Sequence, residues 1–332
     1  MKRAIVIGGT GQIGRAAAPA LEREGFDVVL ASRSGSSIDG RSSIRLDRED
    51  TGALQAAANG FEVVVDTVAF TPAHAEQLLS LDAGNLIVIS TASVYADASG
   101  RFLDVAAEHG FPEYPDPITE DQPTVQAEGP GYSSEKAAME RILLAGSSPA
   151  SVLRPGAIHG PGSRAPRELF FVQRALDGRR RVPLAFGGLS RFSTSATVNI
   201  AALIALCAAQ PGRRTLNAVD DESPTVGEIG RSILDAMGSD AALVPLDGPP
   251  VGNVGASPWG APTPLVLSME SAHRLGYRPA ATYSDAVRDA VSWIREKLRD
   301  RKWAEAFPEL VGRAEAWFPY EAEDAVFERL DA

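Results

Sequence analysis

Over its first half the chain alternates short, mostly apolar runs with longer stretches whose apolar residues recur every three or four positions. The runs 4–7, 28–31, 63–66, 86–90 and 151–153 have the length of strands buried on both faces. Their continuity, in place of strict alternation, suits a parallel sheet. Between them, 15–24, 74–81 and 133–144 carry helical spacing. A parallel return needs a crossover of about a dozen residues or more, and these intervals supply it. After Arg154-Pro155-Gly156 the texture changes: Pro, Gly and Arg become frequent and loops interrupt the alternation. The stretch 248–264 is rich in Pro and Gly around one aromatic, Trp259, which the pattern leaves exposed; it reads as a lid or a mobile binding loop. Helical periodicity returns over 226–237 and 285–299. The segment 301–332 holds Trp303, Phe307, Trp317, Phe318 and Phe327, which suit a terminal helical extension packed on the core.

The first turn carries specific chemistry. Gly8-Gly9-Thr10-Gly11-Gln12-Ile13-Gly14 follows the first strand run directly and opens the first helix. Gly8 permits a tight turn, Gly11 lets backbone approach a pyrophosphate, and Gly14 allows close helix–strand packing, while the helix N-terminus supplies N–H groups and a favourable dipole. A dinucleotide held by Gly8, Gly11, Gln12, Ile13 and Gly14 is the expectation. The second strand runs into Ser32-Arg33. A protein selecting NAD usually places an acidic residue here for the ribose 2′-hydroxyl. Ser32 does not repel a 2′-phosphate and Arg33 can grip one, with Arg15 near enough in sequence to help, so NADP is expected ahead of NAD.

Tyr132-Ser133-Ser134-Glu135-Lys136 opens a helix, which places Tyr132 and Lys136 one turn apart on one face. A phenol of pKa about 10 is a poor acid–base at neutral pH. An ammonium one turn away favours its ionised form. With six tyrosines and four lysines, roughly 0.07 Tyr-x-x-x-Lys pairs arise by chance, so the pair is suggestive. Upstream, the run 86–90 leads into Thr91-Ala92-Ser93-Val94-Tyr95. A hydroxyl at the carboxyl end of a central strand sits where a ligand would lie, and Thr91 is the candidate to bond a substrate oxygen.

In this order the glycine loop, Thr-Ala-Ser-Val-Tyr, Tyr-x-x-x-Lys and Arg154-Pro155-Gly156-Ala157-Ile158-His159-Gly160-Pro161-Gly162 resemble an extended or atypical short-chain dehydrogenase/reductase of the NAD(P)-dependent epimerase/dehydratase superfamily. The likeness covers about 1–295 and is strongest before 162. It implies a Rossmann-type, doubly wound α/β fold with a smaller C-terminal substrate-binding subdomain. The corresponding division is 1–162 for the nucleotide-binding core, 163–300 for the subdomain (from which the chain can return to the core) and 301–332 for the extension. It assigns catalysis to Thr91, Tyr132 and Lys136. It also assigns the ribose to Lys136, adenine to Asp47, the nicotinamide side to Pro155, and part of the cofactor wall to Val68 and Ala69. It further implies a homodimer built through the tyrosine helix. The departures matter. Ala92-Ser93 stand where sugar-nucleotide dehydratases carry an Asp-Glu pair, which speaks against dehydration. Thr197-Val198-Asn199-Ile200 replaces the usual His-Val-Asp-Asp text, and Asp66-Thr67-Val68-Ala69-Phe70 replaces the usual His-Leu-Ala text, which marks an atypical subgroup.

The net charge of −11 argues against a nucleic-acid partner, because phosphate binding needs a concentrated basic surface. Arg179-Arg180-Arg181 and Arg213-Arg214 read as solvated surface, and Asp220-Asp221-Glu222 as a solvated acidic turn before a helix at Thr225. A single Cys207 in an apolar run reads as a buried hydrophobe in a reducing, cytoplasmic setting, and no apolar run is long enough for a membrane span. The histidines lack metal-ligand spacing, so no metal is expected. Three functions stay open. The first is an NADPH-dependent reductase acting on a carbonyl or hydroxyl carbon of a small molecule. The second is an NAD(P)-dependent epimerase of a sugar or sugar nucleotide, and the third a non-catalytic dinucleotide sensor or RNA-associated scaffold. Ser32-Arg33 favours the first. The substrate would be chosen by 97–120, the region near Arg191 and the loop around Trp259.

Overall fold

The computed structural model describes residues 2–38, 40–126 and 131–332. The chain forms two compact units, Met1–Ile158 with Ser195–Asp221 and Leu267–Ala281, and His159–Thr194 with Glu222–Val266 and Thr282–Ala332.

In the first unit, seven strands make one parallel sheet: β1 (Lys2–Ile7), β2 (Phe26–Ser32), β3 (Ser43–Arg45), β4 (Val63–Asp66), β5 (Leu86–Ile89), β6 (Ala150–Arg154) and β7 (Arg214–Asn217). Their spatial order is β3-β2-β1-β4-β5-β6-β7. The order reverses between β1 and β4, the switch point at which Rossmann-type sheets hold ligands. The five strands expected from apolar runs are present. The two additional ones, β3 and β7, sit at the sheet edges and are short and partly polar, so no apolar run announces them. Register aligns the strand ends: Ile7 stands opposite Ala31 and Asp66, Asp66 opposite Val88, and Ile89 opposite Leu153. The carboxyl ends of the central strands therefore emerge side by side.

The helices of this unit are α1 (Gln12–Arg23), α2 (Thr51–Ala58), α3 (Pro72–Leu79), α4 (Tyr132–Ala145) and α5 (Thr197–Ala209), with short turns besides. Ile5, Ile7, Val64, Val88 and Val152 of the sheet share a core with Leu54 and Ala58 of α2, Ala75 and Leu78 of α3, and Met139 and Leu143 of α4. Helices α1 and α5 approach closely because small side chains, Ala16, Ala20, Ala201 and Ala205, meet there. Cys207 is buried in α5, as its apolar surroundings imply. Helix α3 begins two residues before the expected position. Pro72 takes the first helical turn and His74 completes a capping box with Thr71, features that periodicity does not register.

One polar reading is corrected in this unit. Asp220 is buried, not solvated: its Oδ1 accepts from the Ala196 amide at 2.8 Å and from Asn199 Nδ2 at 2.8 Å, which fixes the start of α5. Arg213 is exposed, as the sequence implies, and donates to the Gly146 carbonyl.

In the second unit, helices Leu169–Leu176, Val226–Met237 and Tyr283–Leu298 pack together beside a two-stranded parallel sheet, Arg181–Leu184 with Ala242–Pro245. Thr225 and Glu228 form a reciprocal capping box at the start of Val226–Met237. The segment 301–332 is part of this unit. Phe307 and Phe327 are buried, and helix Tyr320–Asp331 is held by Arg174 to Glu323, Arg179 to Asp324 and Arg181 to Asp331. Two members of the arginine run therefore serve as ion-pair anchors.

Trp259 is also corrected. It is only 1% exposed, and its ring stacks on Phe171 with centroids 6.2 Å apart. Ser190 Oγ donates to the Ala261 carbonyl at 2.7 Å and accepts from the Ala261 amide at 3.1 Å. The Ala185 amide bonds to the Gly255 carbonyl at 3.1 Å. The half of 248–264 that follows Val254 is fixed structure, because one large aromatic offsets what Pro and Gly fail to bury. Hydrogen exchange should find the Ala261 amide strongly protected without any ligand; exchange at the rate of an exposed loop would restore the lid reading.

No helix among the described residues is long and apolar enough to cross a membrane. No group of three or more metal-ligating side chains is gathered among them either.

Candidate functional site

The glycine turn joins β1 to α1. Gly8 has φ +77°, in the left-handed region, and a Cβ there would stand 2.3 Å from Thr67 Oγ1 and 2.8 Å from Val68 Cγ1. A Cβ on Gly14 would lie 2.6 Å from both the Gly8 carbonyl oxygen and Gly9 Cα, so only glycine lets α1 start this close to the turn. At Gly11 the sole neighbour would be the Gly8 carbonyl oxygen, 3.2 Å away, so its outer side is open to a ligand. The side-chain oxygen Oε1 of Gln12, the first residue of α1, is buried without a hydrogen-bond partner among the described residues. With the unpaired first-turn amides of a helix, these features fit a dinucleotide pyrophosphate.

At the end of β2, Ser32 is buried, its Oγ 3.0 Å from Ser43 Oγ and accepting from the Gly35 amide at 3.2 Å. Arg33 is exposed, with no hydrogen bond or ion pair to the described residues. The β2–β3 register sets Arg45 opposite Ser32, and Arg45 is exposed as well. Nothing in the sequence marks Arg45 for this position, because β3 is only three residues long and mostly polar. Asp47 is exposed and caps its own turn, accepting from the Glu49 amide at 3.1 Å.

The exit of β4 meets the tyrosine helix. Lys136 Nζ donates to the Ala69 carbonyl at 2.6 Å and to the Ile89 carbonyl at 2.8 Å, which ties α4 to the ends of β4 and β5. Lys136 is buried, and that burial pulls its ammonium down to about 8 even though the Asp66 and Glu140 carboxylates favour the proton. Tyr132, one turn earlier, is half exposed, and its ring stacks on Phe70 with centroids 5.8 Å apart. Ala69 is wholly buried and Val68 half exposed beside Gly8.

Thr91 closes β5. It is buried, and its Oγ1 accepts from the Ser93 amide at 3.2 Å, which leaves its hydroxyl hydrogen to donate elsewhere. The Ala92 amide bonds to the Pro155 carbonyl at 2.8 Å, setting the Arg-Pro-Gly segment beside the threonine turn. The structure thus gathers Thr91 with Pro155, and Lys136 with Ala69, Phe70 and Tyr132, all at the carboxyl ends of central strands.

Several supporting residues went unread in the sequence. Asp104 accepts from the Ser133 amide at 2.8 Å and from Ser133 Oγ at 2.9 Å, fixing the N-terminus of the tyrosine helix. Glu140, one turn beyond Lys136, is buried and pairs bidentately with buried Arg154, with Nε 3.1 Å from each carboxylate oxygen. Arg48 and Asp66 form a second buried pair at 3.0 Å. Ser90 Oγ is buried without a hydrogen-bond partner among the described residues. The i, i+4, i+8 spacing of Tyr132, Lys136 and Glu140 is the one sequence signal that could have exposed part of this layer.

Several solved structures share the fold over most of their length. UDP-N-acetylglucosamine 4-epimerase from Bacillus cereus is 17% identical, with 91% of this chain and 98% of that one aligned at a TM-score of 0.65. UDP-glucose 4-epimerase from Thermus thermophilus, in complex with NAD, is 20% identical over 88% and 99% at 0.65. The Bordetella bronchiseptica enzyme WbmH, in complex with NAD+, is 16% identical over 89% and 99% at 0.70. No curated protein matches the chain in sequence. The family model described as the NAD dependent epimerase/dehydratase family matches residues 4–194, more than half of the chain. The glycine turn, the Thr91 strand end and the Tyr132–Lys136 helix all lie within that match, and the chain belongs to the NAD dependent epimerase/dehydratase family.

Proposed function

We propose that the protein moves a hydride between a nicotinamide dinucleotide and a hydroxyl-bearing carbon of a sugar or sugar nucleotide, and returns it within the turnover as an epimerase. The observation that carries this reading is the Lys136 clamp. Two N–H groups of the ammonium are bonded to the Ala69 and Ile89 carbonyls, which leaves the third for a ribose hydroxyl. The bound dinucleotide supplies the hydride acceptor and donor. Tyr132 holds the proton of the reacting hydroxyl, and the Lys136 charge one turn away favours the phenolate that takes it. Thr91 donates to the same oxygen and steadies its charge. The family membership and the 4-epimerases among the fold neighbours support epimerisation over net reduction. The test is incubation with NAD+ or NADP+ and UDP-glucose, UDP-N-acetylglucosamine or UDP-glucuronic acid, followed by NMR of the sugar. Epimer formed without net reduced cofactor supports the proposal. Stoichiometric oxidation of NADPH by a carbonyl compound, with no epimer, would replace it with the reductase.

That second reading has its own observation. Arg33 and Arg45 flank Ser32 at the end of β2, and no acidic side chain stands in the Ser32-Arg33 position. Arg33→Ala should weaken NADPH binding by about 1.5–3 kcal/mol, the range for charged hydrogen bonds, and leave NADH nearly unchanged. Arg45→Ala should act in the same direction. Equal losses for both cofactors, or tighter wild-type binding of NADH, would assign the protein to NAD.

A further inference from the structure

The segment Asp66–Phe70 is held from below by a pair that the proposed chemistry does not use. Arg48 Nε lies 3.0 Å from Asp66 Oδ2, with the two side chains 6% and 0% exposed. Arg48 also donates to the His74 carbonyl at 3.1 Å and to Gln77 Oε1. The other carboxylate oxygen of Asp66 accepts from the Val68 amide at 2.9 Å and the Ala69 amide at 2.8 Å. His74 Nδ1 accepts from the Phe70 amide at 2.9 Å. Every residue from Val68 to Phe70 is therefore tied down by its backbone N–H. The outward-going groups of the last two of these residues meet the acid–base couple: the Ala69 carbonyl takes Lys136 Nζ, and the Phe70 ring backs Tyr132.

We infer that the buried Arg48–Asp66 pair is a positioning device, holding the 66–70 strap so that Ala69 and Phe70 present Lys136 and Tyr132 in register with each other. The inference rests on the acid–base reading of those two residues. The physical reason is economy of freedom: a carbonyl that must receive an ammonium is useful only if its peptide cannot rotate. The Ala69 carbonyl's own peptide is held at the Phe70 N–H by His74 Nδ1, whose residue Arg48 grips through its carbonyl, and Asp66 holds the preceding peptide at the Ala69 N–H. A buried aspartate can do this only with its charge compensated, which Arg48 provides. The pair has a second consequence. Asp66 is the first of the charges facing Lys136, ahead of Glu140 on its own helix, and Arg48 opposes both.

The chain has four lysines, which makes Lys136 readable by NMR with isotope-labelled lysine side chains. One resonance should titrate at about 8, and Lys136→Met should remove it. Asp66→Asn keeps an oxygen for the two amides but removes the charge and the oxygen that accepts from Arg48, so this resonance should titrate about one pH unit lower. Should the single variant fail to fold for want of a partner for Arg48, the double Arg48→Met, Asp66→Asn removes both charges. It should still shift the resonance downward, since Asp66 outweighs Arg48 at Lys136. Separately, Arg48→Met should speed exchange of the Val68 and Ala69 amides by roughly tenfold or more, against an unchanged sheet core. An unmoved lysine titration in folded Asp66 variants, or unchanged exchange of those amides in Arg48→Met, would overturn the inference. Failure of the wild-type protein to transfer hydride bears on the acid–base reading alone, because neither readout here involves a substrate.

Discussion

Tyr132→Phe should lower turnover by about 10²–10⁴-fold, the usual worth of a positioned acid–base, while folding and cofactor affinity survive. Hydride removal from a carbinol requires its proton to leave, and hydride return requires it back; only a group beside the reacting oxygen can serve both directions in the same transition state. Tyr132 has the partners for this: Lys136 one turn away on its own helix and the Phe70 ring beneath its own, at 5.8 Å between centroids. The phenylalanine ring can keep that stack, so the loss reads on the hydroxyl. Thr91→Val should also lower turnover without weakening cofactor binding, because Thr91 Oγ1 is engaged only by the Ser93 amide of its own turn among the described residues. Lys136→Met needs a different reading. It removes the third N–H and the charge, but it also leaves the Ala69 and Ile89 carbonyls without their donor, so stability should fall alongside turnover. The measurement is single-turnover hydride transfer with a nucleotide sugar found to react, paired with circular dichroism of each variant. Wild-type turnover in Tyr132→Phe would remove the acid–base reading and bring the dinucleotide-sensor reading forward.

What could be read in the sequence follows from how each feature is encoded. The central strands are buried on both faces, so β1, β4 and β5 are legible as unbroken apolar runs, whereas β3 and β7, three and four residues long, have no such run. The glycine turn was legible because its demands are local: the left-handed φ at Gly8 and the crowding at Gly14 are set within one turn of chain. The tyrosine and lysine were legible for the same reason, being one helical turn apart. The layer beneath them was not. Arg48 and Asp66 are 18 residues apart and Ser133 and Asp104 29 apart, and polar or charged side chains at such separations read as surface until the fold brings them together. Trp259 failed in the opposite sense. Its Pro- and Gly-rich neighbours suggested a loose loop, and its burial against Phe171, far off in sequence, decided the outcome.

Glu323→Ala should destabilise the second unit by about 3–5 kcal/mol, the usual cost of leaving one member of a buried ion pair alone. Arg174 is only 1% exposed and Glu323 0%, and they meet at 2.5 Å. Arg174 also donates to the Phe170 carbonyl at 2.8 Å and to the Trp317 carbonyl at 2.6 Å, and its guanidinium lies 3.8 Å from the centre of the Phe170 ring. The pair thus fastens helix Tyr320–Asp331 and the Trp317 turn to helix Leu169–Leu176. With the carboxylate gone, the guanidinium keeps its desolvation cost and loses its compensation; Arg179, whose Nη2 lies 3.5 Å from the other carboxylate oxygen, adds a second positive charge to the vacated space. All four tryptophans, Trp259, Trp293, Trp303 and Trp317, belong to this unit, so denaturant unfolding followed by tryptophan fluorescence reports on it directly. The double replacement Arg174→Met, Glu323→Leu supplies the control. Removing both charges with side chains of similar bulk should recover most of the loss, because hydrophobic packing substitutes well for a buried pair. A Glu323→Ala protein within about 1 kcal/mol of wild type would mean that the aromatic contacts of Phe307 and Phe327, not the ion pair, hold the C-terminal segment in place.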